Sequence, residues 1–470
     1  MTTRDFVLSG QWLFFAYFVG INLGYLAQNV IASATIRRYM LRVERAEAEA
    51  IFSALDIPIS IVIPAYNESA SIVTSIKALL QLEYGQYELV VVNDGSTDDT
   101  LQKLIDAFGM REFPEAYRAR VDCAPVRRIY RSARYKNLRV VDKENGGSKA
   151  DASNAGVNAC RYPLVCVVDA DSVLQPDALR RVVRPFIDDA RTVAVGGTVR
   201  ISNGCTVRHD FLEKVGLPSN FLALVQVVEY LRAFLFGRMG WSPINGLLIV
   251  SGAFGLFHKE TLVEVGGYKS EAVGEDMELI LRLHRCMKQA GRPYRISFVP
   301  DPVSWTDAPE SLKDLRSQRV RWQHGLGQAI FMNRWLLFNR EGGVVSWVSL
   351  PFYLIFELFG PVIEVLGYAF ILVCALMGWL SWSESGIFFA LAVGLGILLS
   401  TSAIMLDELS FHAYPKIRQL LILYAVAILE NFGFRQLTSL WRLQGLVRWL
   451  RGREHKWEKL TRSANLAEDA

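Results

Sequence analysis

The sequence has few cysteines, and none of them belongs to a metal-binding or redox pattern. Its six cysteines form no CxxC pair and show no other ligand spacing. They are Cys123, Cys160, Cys166, Cys205, Cys286 and Cys374. This pattern excludes a disulfide framework and predicts reduced thiols in a cytosolic or membrane protein.

The chain also has no large excess of positive or negative charge, and it lacks the common nucleotide-binding fingerprints. The 51 basic and 47 acidic side chains leave a net charge of +4, which is too small to argue for a nucleic-acid partner. No GxGxxG follows a predicted strand, and "ENGGSKA" does not match GxxxxGK[ST]. The sequence contains no internal repeat and no low-complexity tract.

Apolar residues are abundant instead. The 470 residues allow two or three domains. Hydrophobic residues make up 51% of the chain, and the mean hydropathy is +0.21. These values are high for a soluble enzyme and low for a pure membrane bundle. The composition therefore predicts a soluble domain joined to membrane segments.

The first candidate membrane segment is Trp12–Ile31, which is nearly long enough to cross a bilayer. A cleaved signal peptide is the alternative, because "ASA" at Ala32–Ala34 resembles a cleavage site. No basic region precedes the segment, whereas a basic cluster follows it at Arg37, Arg38 and Arg42. This asymmetry predicts a membrane helix with the N-terminus outside and the chain from Ile51 onward in the cytosol.

Three apolar stretches follow in the second half of the chain. Val344–Ser381 predicts two spans or an interfacial helix and one span, Ile387–Leu406 predicts one span, and Gln419–Phe434 is shorter. The basic tail "RWLRGREHKWEKLTR" is expected in the cytosol, which requires two or four crossings after the soluble domain. The stretches contain Glu357, Glu364, Glu430 and Asn431. Such residues face either a polar path or a structural helix–helix contact.

Strands and helices alternate over Ile57–Val299. "ISIVIPAYNE" predicts strand Ile59–Ile63 and then a helix over Ala70–Leu80, and "ELVVVNDGSTDDT" predicts strand Leu89–Val92 and a helix from about Asp98. "NLRVVDKENGGSKADASNAGV" adds a strand, a Gly-rich turn and a helix, and "PLVCVV" adds a fourth strand. The pattern predicts a mostly parallel sheet with helices on both faces, and ligands bind such sheets beyond the carboxyl ends of the strands.

Polar side chains cluster at these predicted strand ends. They are Tyr66, Asn67, Glu68, Asn93, Asp94, Asp169 and Asp171. The carboxylates among them would repel one another unless a cation or a donor-rich ligand lay between them. Asp169-Ala170-Asp171 is a candidate site for Mg²⁺ or Mn²⁺, which would bridge a diphosphate. Lys149 at a predicted helix start is a candidate phosphate ligand.

Six motifs in order carry a family resemblance. "PAYNE", "NDGSTDDT", "GGSKADASN", "DAD", "GED" and "QRVRW", between Ile57 and about Trp322, resemble the membrane-bound family 2 glycosyltransferases. These include cellulose, hyaluronan and poly-N-acetylglucosamine synthases and the nodulation chitin-oligosaccharide synthases. A looser similarity extends to Arg462. The resemblance implies an α/β GT-A fold, a nucleotide-sugar donor, a divalent metal (Mg²⁺ or Mn²⁺) and inversion at the anomeric carbon.

The resemblance also implies roles for individual residues. The implied donor-binding residues are Tyr66, Glu68, Asp94, Lys149, Asp169 and Arg321, the first three of them for the nucleoside. The implied metal ligands are Asp171 and Asp169, and the implied acceptor-side residues are Ser251, Gly252, Gln318 and Trp322. The implied general base is Asp276, and Trp457 and Arg462 loosely resemble a gating segment.

Two departures from the family pattern are visible. Gly274 stands where the base motif usually has Thr, which leaves Asp276 intact. Asp307 stands where "SWTDAPESL" usually has Glu, so no role is carried onto it. Inverting transfer needs one carboxylate to deprotonate the acceptor hydroxyl, which suits Asp276. The alternative is an acid favoured by the dipole at the start of an amphipathic helix.

Two amphipathic segments are expected to lie in the membrane surface, Asn220–Phe236 and Ser311–Phe338, the second carrying QxxRW. Core helices of the soluble domain are the alternative. Arg319 and His324 are expected on the helix surface. The predicted parts are a membrane helix and linker (1–50), a cytosolic GT-A domain (51–310), the interfacial QxxRW helix (311–343), a transmembrane region (344–441) and a basic cytosolic tail (442–470).

The sequence thus predicts an integral protein of the bacterial inner (plasma) membrane. We expect a processive, inverting β-glycosyltransferase that polymerises a UDP-sugar and passes the polysaccharide across the membrane. UDP-N-acetylglucosamine is the expected donor, because the single-chain length resembles that of poly-N-acetylglucosamine and chitin-oligosaccharide synthases. The alternatives are transfer of one sugar to a lipid and a non-catalytic nucleotide-sugar sensor or scaffold. Membrane lipids are expected partners and nucleic acid is not, and the sequence leaves open an accessory membrane subunit or an oligomer.

Overall fold

A mixed β-sheet and a set of long apolar helices make up the protein. The structure is a computed structural model, and it describes residues 3–49, 56–208, 211–379 and 382–452. The strands are β1 (Ile59–Ala65), β2 (Tyr87–Asp94), β3 (Met110–Glu112), β4 (Val126–Ser132), β5 (Leu138–Lys143), β6 (Leu164–Val168), β7 (Val173–Leu174), β8 (Thr192–Ile201), β9 (Thr206–Arg208), β10 (Phe211–Lys214), β11 (Phe254–His258) and β12 (Arg295–Thr306).

The α-helices are of very different lengths. They are α1 (Thr3–Glu49), α2 (Ile72–Leu79), α3 (Thr100–Phe108), α4 (Lys149–Ala159), α5 (Ala178–Asp188), α6 (Phe221–Leu231), α7 (Met239–Trp241), α8 (Lys259–Glu264), α9 (Glu275–Gln289), α10 (Leu312–Met332), α11 (Leu350–Phe352), α12 (Gly360–Leu376), α13 (Trp382–Phe411), α14 (Ile417–Leu429) and α15 (Phe434–Leu450). Wider π-helical turns cover Arg232–Arg238, Val345–Ser349 and Tyr353–Leu358, and 3₁₀ turns cover Arg334–Leu336 and Arg340–Gly342.

The sheet has ten strands in the order β3-β4-β5-β2-β1-β6-β11-β8-β12-β7. Its central strands β5, β2, β1 and β6 are parallel, as the sequence predicts, because helical crossovers join them. β11 is antiparallel to both β6 and β8, so the sheet as a whole is mixed. Strands β1 and β6 are buried almost throughout, which explains their continuous apolar runs. The predicted α/β fold class is confirmed.

Two helices are long and apolar enough to cross a membrane, within Ser9–Arg42 and Val393–Phe411. Two bent pairs pass the same test of length and composition: Val345–Leu358 with Gly360–Leu376, bent by 40°, and Ile417–Leu429 with Phe434–Leu450, bent by 60°. The described part of the chain therefore has two candidate spans, or up to four if each bent pair is one span. The predicted segments around Trp12–Ile31 and Ile387–Leu406 both fall in such helices.

Side-chain contacts give the relative directions of these helices. The rings of Phe14 and Phe370 lie 5.3 Å apart and those of Tyr25 and Phe352 lie 5.6 Å apart, so α1 runs antiparallel to the segment that ends in α12. Near its far end α1 contacts the sheet, where the Tyr39 hydroxyl donates to Asp301 of β12. Helix α13 returns to the sheet as well, because Asp407 is paired with Arg200 of β8.

The structure bears on two expectations about polar and amphipathic segments. Helix α6 packs between β8 of the sheet and the apolar helices α13 and α14, so its predicted position in the membrane surface stays a prediction. The helix surface does not include Arg319 and His324, which are only 4% and 7% exposed. Helical periodicity indicates which residues share a face but not which element covers that face, and α10 is covered by α9 and α15.

The predicted boundary between residues 441 and 442 falls inside α15, which continues to Leu450. The helix packs closely on α10, and a Cβ on Gly445 would lie 2.5 Å from the carbonyl oxygen of Val320. A side chain is therefore not tolerated at this crossing. Residues 442–450, which follow the predicted boundary, thus belong to a packed helix, and residues 453–470 of the predicted tail lie outside the described residues.

Candidate active site

One cavity of about 2880 Å³ begins beyond the carboxyl ends of β1, β2 and β6 and extends between α1, α10 and α12. Twelve residues that the sequence singles out line it: Tyr66, Glu68, Asp94, Lys149, Asp169, Asp171, Ser251, Gly252, Asp276, Gln318, Arg321 and Trp322. They come from seven separate stretches of sequence. The other two predicted site residues, Trp457 and Arg462, lie outside the described residues.

The end of β2 forms one side of the cavity. The carboxylate of Asp94 is paired with the ammonium of Lys143 and accepts the backbone N–H of Gly146 at 3.0 Å. Lys143 is completely buried and also pairs with Asp151 at 2.6 Å. This ion triad, which the sequence did not indicate, fixes Asp94 against the start of α4.

The turn after β1 is held against the turn after β2. Asn67 has a left-handed backbone (φ +55°), and its side-chain oxygen accepts the Thr97 N–H at 2.8 Å. The backbone N–H of Glu68 donates to the Thr100 hydroxyl at 2.9 Å. Tyr66 remains 45% exposed, which leaves its ring available to a flat ligand in the cavity.

Lys149 stands at the first position of α4, where Ser148 caps the helix. Its ammonium is paired with Asp169 and donates to the carbonyl oxygen of Gly252 at 2.7 Å. Burial lowers the pKa of Lys149, but attraction from Asp169, Glu275 and Asp276 outweighs burial, so the pKa lies above its usual value. A fixed positive charge therefore stands beside the end of β6.

The two carboxylates that follow β6, Asp169 and Asp171, are the candidate metal ligands. Both line the cavity, and among the described residues no cluster of three or more His, Cys, Asp or Glu ligands is present. Mg²⁺ is commonly held by one or two carboxylates with the remaining positions filled by water and substrate phosphates. The donor set therefore fits a cation that binds together with a phosphate ligand rather than in a closed protein cage.

Asp276 stands at the second position of α9. One of its carboxylate oxygens accepts the backbone N–H of Gly252 at 3.1 Å, and the other accepts the N–H of Met277 at 2.8 Å. Gly252 thus links the candidate base to Lys149. The neighbouring Glu275 also lines the cavity, and burial followed by repulsion from Asp276 raises its pKa to about 7.

The start of α9 touches the QxxRW helix directly. A Cβ on Gly325 would lie 2.9 Å from the backbone nitrogen of Gly274, and a Cβ on Gly274 would lie 3.3 Å from the Cα of Gly325. Two glycines therefore allow this approach, which gives a physical reason for Gly274 where the family motif usually has Thr. The approach brings the Trp322 region beside Asp276.

Helix α10 presents residues of different exposure to the cavity. The Trp322 side chain is 44% exposed. Gln318 is 7% exposed, and its side-chain oxygen is buried without a hydrogen-bond partner among the described residues. The cavity therefore offers an aromatic face and a buried acceptor atom one helical turn apart.

Beyond Trp322 the cavity enters the apolar helices, where polar groups line it. Glu357 accepts from Arg442 at 2.9 Å and from the hydroxyl of Tyr25. Gln323 donates to the carbonyl oxygens of Glu357 and Leu358, at 2.9 and 3.0 Å. Glu357 therefore makes a structural contact between its own turn, α1, α10 and α15, and it also lines the cavity, so the interpretation as part of a polar path stays a prediction.

The chain matches the model of the family described as Glycosyltransferase like family 2 over residues 57–325. The chain therefore belongs to glycosyltransferase family 2, and the predicted family and enzyme class agree with this result.

Among curated relatives, the poly-β-1,6-N-acetyl-D-glucosamine synthase of Staphylococcus epidermidis is 27% identical over 277 residues, 59% of this chain and 56% of the relative. The synthase of the same name from Staphylococcus aureus strain COL is 28% identical over 267 residues, 57% of this chain and 54% of the relative. The matches thus span about half the length of these relatives.

A solved structure supports the fold. The mannosyltransferase PcManGT from Pyrobaculum calidifontis, solved in complex with GDP-Man and Mn²⁺, superposes with a TM-score of 0.51. Its sequence is 15% identical, and the match covers 92% of this chain and 100% of that chain. The likeness shows a shared GT-A fold.

Proposed function

We propose that the protein is a membrane-bound, inverting glycosyltransferase that polymerises a UDP-sugar and passes the polymer between its own helices. The observation that most supports this proposal is one continuous cavity, which joins the strand-end carboxylates to the polar groups between α1 and α12. The groups that line the cavity beyond Trp322 include aromatic rings such as Phe356, which suit sugar faces, and the polar side chains Glu357 and Tyr25, which suit sugar hydroxyls. Similarity to poly-β-1,6-N-acetyl-D-glucosamine synthases supports UDP-N-acetylglucosamine as the donor.

The reaction follows from the positions of the polar groups. Asp276 takes the proton of the acceptor hydroxyl as the acceptor oxygen bonds to the far side of the anomeric carbon. The bond from that carbon to the diphosphate breaks, and its electron pair leaves with the UDP. Lys149 and Arg321 balance the charge that develops on the leaving group. Trp322 stacks on the acceptor sugar.

A divalent cation, Mg²⁺ or Mn²⁺, would be held by Asp171 and Asp169 and would neutralise the diphosphate when bound. Asp169 has a second role, because its pairing with Lys149 places the ammonium beside the same phosphates. Tyr66, Glu68 and Asp94 would hold the nucleoside. Ser251 and Gly252 would lie on the acceptor side of the reacting carbon, together with Gln318.

We also propose a path through the membrane. Helix α1 would enter from outside, the bent segment Val345–Leu376 would cross outward, and α13 would return to the sheet. Helices α14 and α15 would form a re-entrant pair, because Glu430 at the bend bonds to Ser400 about halfway along α13 while α15 packs on α10. This path has two crossings after the soluble domain, which suits a cytosolic tail.

The donor and product can be tested together. The protein, purified in lipid, is incubated with a panel of UDP-sugars and Mg²⁺ or Mn²⁺, and both UDP release and product size are measured. We expect a polymer from UDP-N-acetylglucosamine. Polymer from UDP-glucose alone would overturn the donor, and a single-sugar glycolipid would overturn polymerisation.

Changing Asp171 to Asn should raise the metal concentration needed for half-maximal turnover by about 10–100-fold, because one anionic ligand is lost. Turnover measured against Mg²⁺ and Mn²⁺ concentration tests this. Asp189→Asn is the control, since Asp189 pairs with Arg191 on the surface. An unchanged metal requirement in Asp171→Asn would exclude this residue as a ligand.

Donor affinity should fall as the pH rises through about 7. Glu275, whose pKa burial and Asp276 raise to about 7, is neutral below that pH and anionic above it. The added negative charge opposes binding of the diphosphate, so the donor KM should rise by about three- to tenfold between pH 6 and pH 8.5. Glu275→Gln should flatten this dependence; an equal dependence in both proteins would assign it to another group.

A further inference from the structure

Arg319 is a buried cation in the QxxRW helix whose surroundings link it to Trp322. Its guanidinium carbon lies 4.5 Å from the centroid of the Trp322 ring. Residues three apart on a helix are neighbours, so the guanidinium lies over one face of the indole. The two residues therefore form a stacked pair at the wall of the cavity.

The other side of the guanidinium is held from a different element. Nη2 of Arg319 donates to the Glu229 carboxylate of α6 at 2.7 Å. Arg319 is only 4% exposed, and its Nε is buried with no hydrogen-bond partner among the described residues. Glu229 sits one helical turn before the π-helical turn Arg232–Arg238 and lines the same cavity.

A partly buried ion pair of this kind, with Glu229 27% exposed, is poor evidence of stabilisation, because desolvation of the charges opposes their attraction. An apolar side chain such as Met would fill the same space without that cost. Trp322, in contrast, has two rotatable side-chain bonds and is 44% exposed, so without a support its ring could adopt several orientations. The Glu229–Arg319 pair can therefore restrict the Trp322 ring to one orientation.

We propose that Glu229 and Arg319 are positioning residues that fix the orientation of the Trp322 indole, with one face covered by the guanidinium and the other presented to the acceptor sugar. The inference rests on the proposed glycosyl transfer. Because the support acts on the acceptor side, it should affect acceptor binding and the fraction of donor transferred, and it should leave UDP-sugar affinity unchanged.

The test is a double-mutant cycle of Arg319→Met and Trp322→Ala with short N-acetylglucosamine oligosaccharides as acceptors. Arg319→Met should raise the acceptor KM by about 3–30-fold, lower the sugar transferred per UDP released, and leave the donor KM within about twofold. In the Trp322→Ala background it should change the acceptor KM by less than about twofold. Arg316→Met, an exposed arginine of the same helix bound to Gln444, is the control.

The inference would be overturned if Arg319→Met raised the acceptor KM as much in the Trp322→Ala background as in the unaltered protein. A change in the donor KM in place of the acceptor KM would also overturn it. If Arg319→Met does not fold, Glu229→Gln takes its place in the cycle and should shift the acceptor KM in the same direction by about 2–10-fold. No transfer by the unaltered protein would contradict the proposed function, whereas normal transfer with additive variants would contradict only the positioning role.

Discussion

Asp276→Asn should lower turnover by about 10²–10⁴-fold while leaving UDP-sugar affinity within about threefold. The carboxylate already accepts the backbone N–H groups of Gly252 and Met277, at 3.1 and 2.8 Å. An amide of the same shape keeps an acceptor oxygen for only one of these two N–H groups, and it cannot take the acceptor proton. UDP release and calorimetric binding of the UDP-sugar measure the two effects separately.

The matched control for this variant is Glu271→Gln, an exposed acid five positions earlier in the same segment. It should turn over as the unaltered protein does. Normal turnover in Asp276→Asn would show that another group is the base. Loss of donor binding in that variant would assign Asp276 to the donor site rather than to proton transfer.

Glu430→Gln should destabilise the protein by about 1–3 kcal/mol, because it removes the buried anion that two partly exposed arginines share. The Glu430 carboxylate is 1% exposed and lies 2.7 Å from both Arg232 and Arg435. It also accepts from the hydroxyl of Ser400 at 2.7 Å. The group therefore joins the π-helical turn after α6, the helix α13 and the bend between α14 and α15 at one point.

Unfolding of the detergent-solubilised protein with heat or denaturant measures this change. Glu341→Gln is the control, since Glu341 is exposed, and it should stay within about 0.5 kcal/mol of the unaltered protein. A Glu430→Gln protein as stable as the control would mean that the ion cluster does not hold these helices together.

The central strands could be predicted because their surroundings are symmetric. β1 and β6 are covered on both faces, so their sequences "ISIVI" and "LVCVV" are continuous apolar runs that any such sheet produces. The start of α4 at Lys149 was equally readable, since a Gly-rich turn and the cap residue Ser148 precede it. The residues that line the cavity at these strand ends could be located for the same reason, and their roles stay predictions.

Other features depend on partners that are distant in sequence. The buried Arg319 is paired with Glu229, which lies 90 residues earlier in the chain. An amphipathic pattern does not indicate such a pairing. The coverage of α6 by α13 and α14 is likewise a property of the assembled helices. The raised pKa of Glu275 depends on burial and on repulsion from Asp276, and sequence spacing indicates neither the burial nor its extent.

The central proposal is that one cavity serves both synthesis and export, and a vesicle experiment tests it most directly. The protein is placed in sealed proteoliposomes, UDP-N-acetylglucosamine and Mg²⁺ are added outside, and the product is exposed to an added polysaccharide hydrolase before and after the vesicles are opened with detergent. We expect polymer that resists the hydrolase until detergent is added. Polymer that is fully digested in sealed vesicles, or a glycolipid carrying a single sugar, would contradict the proposal.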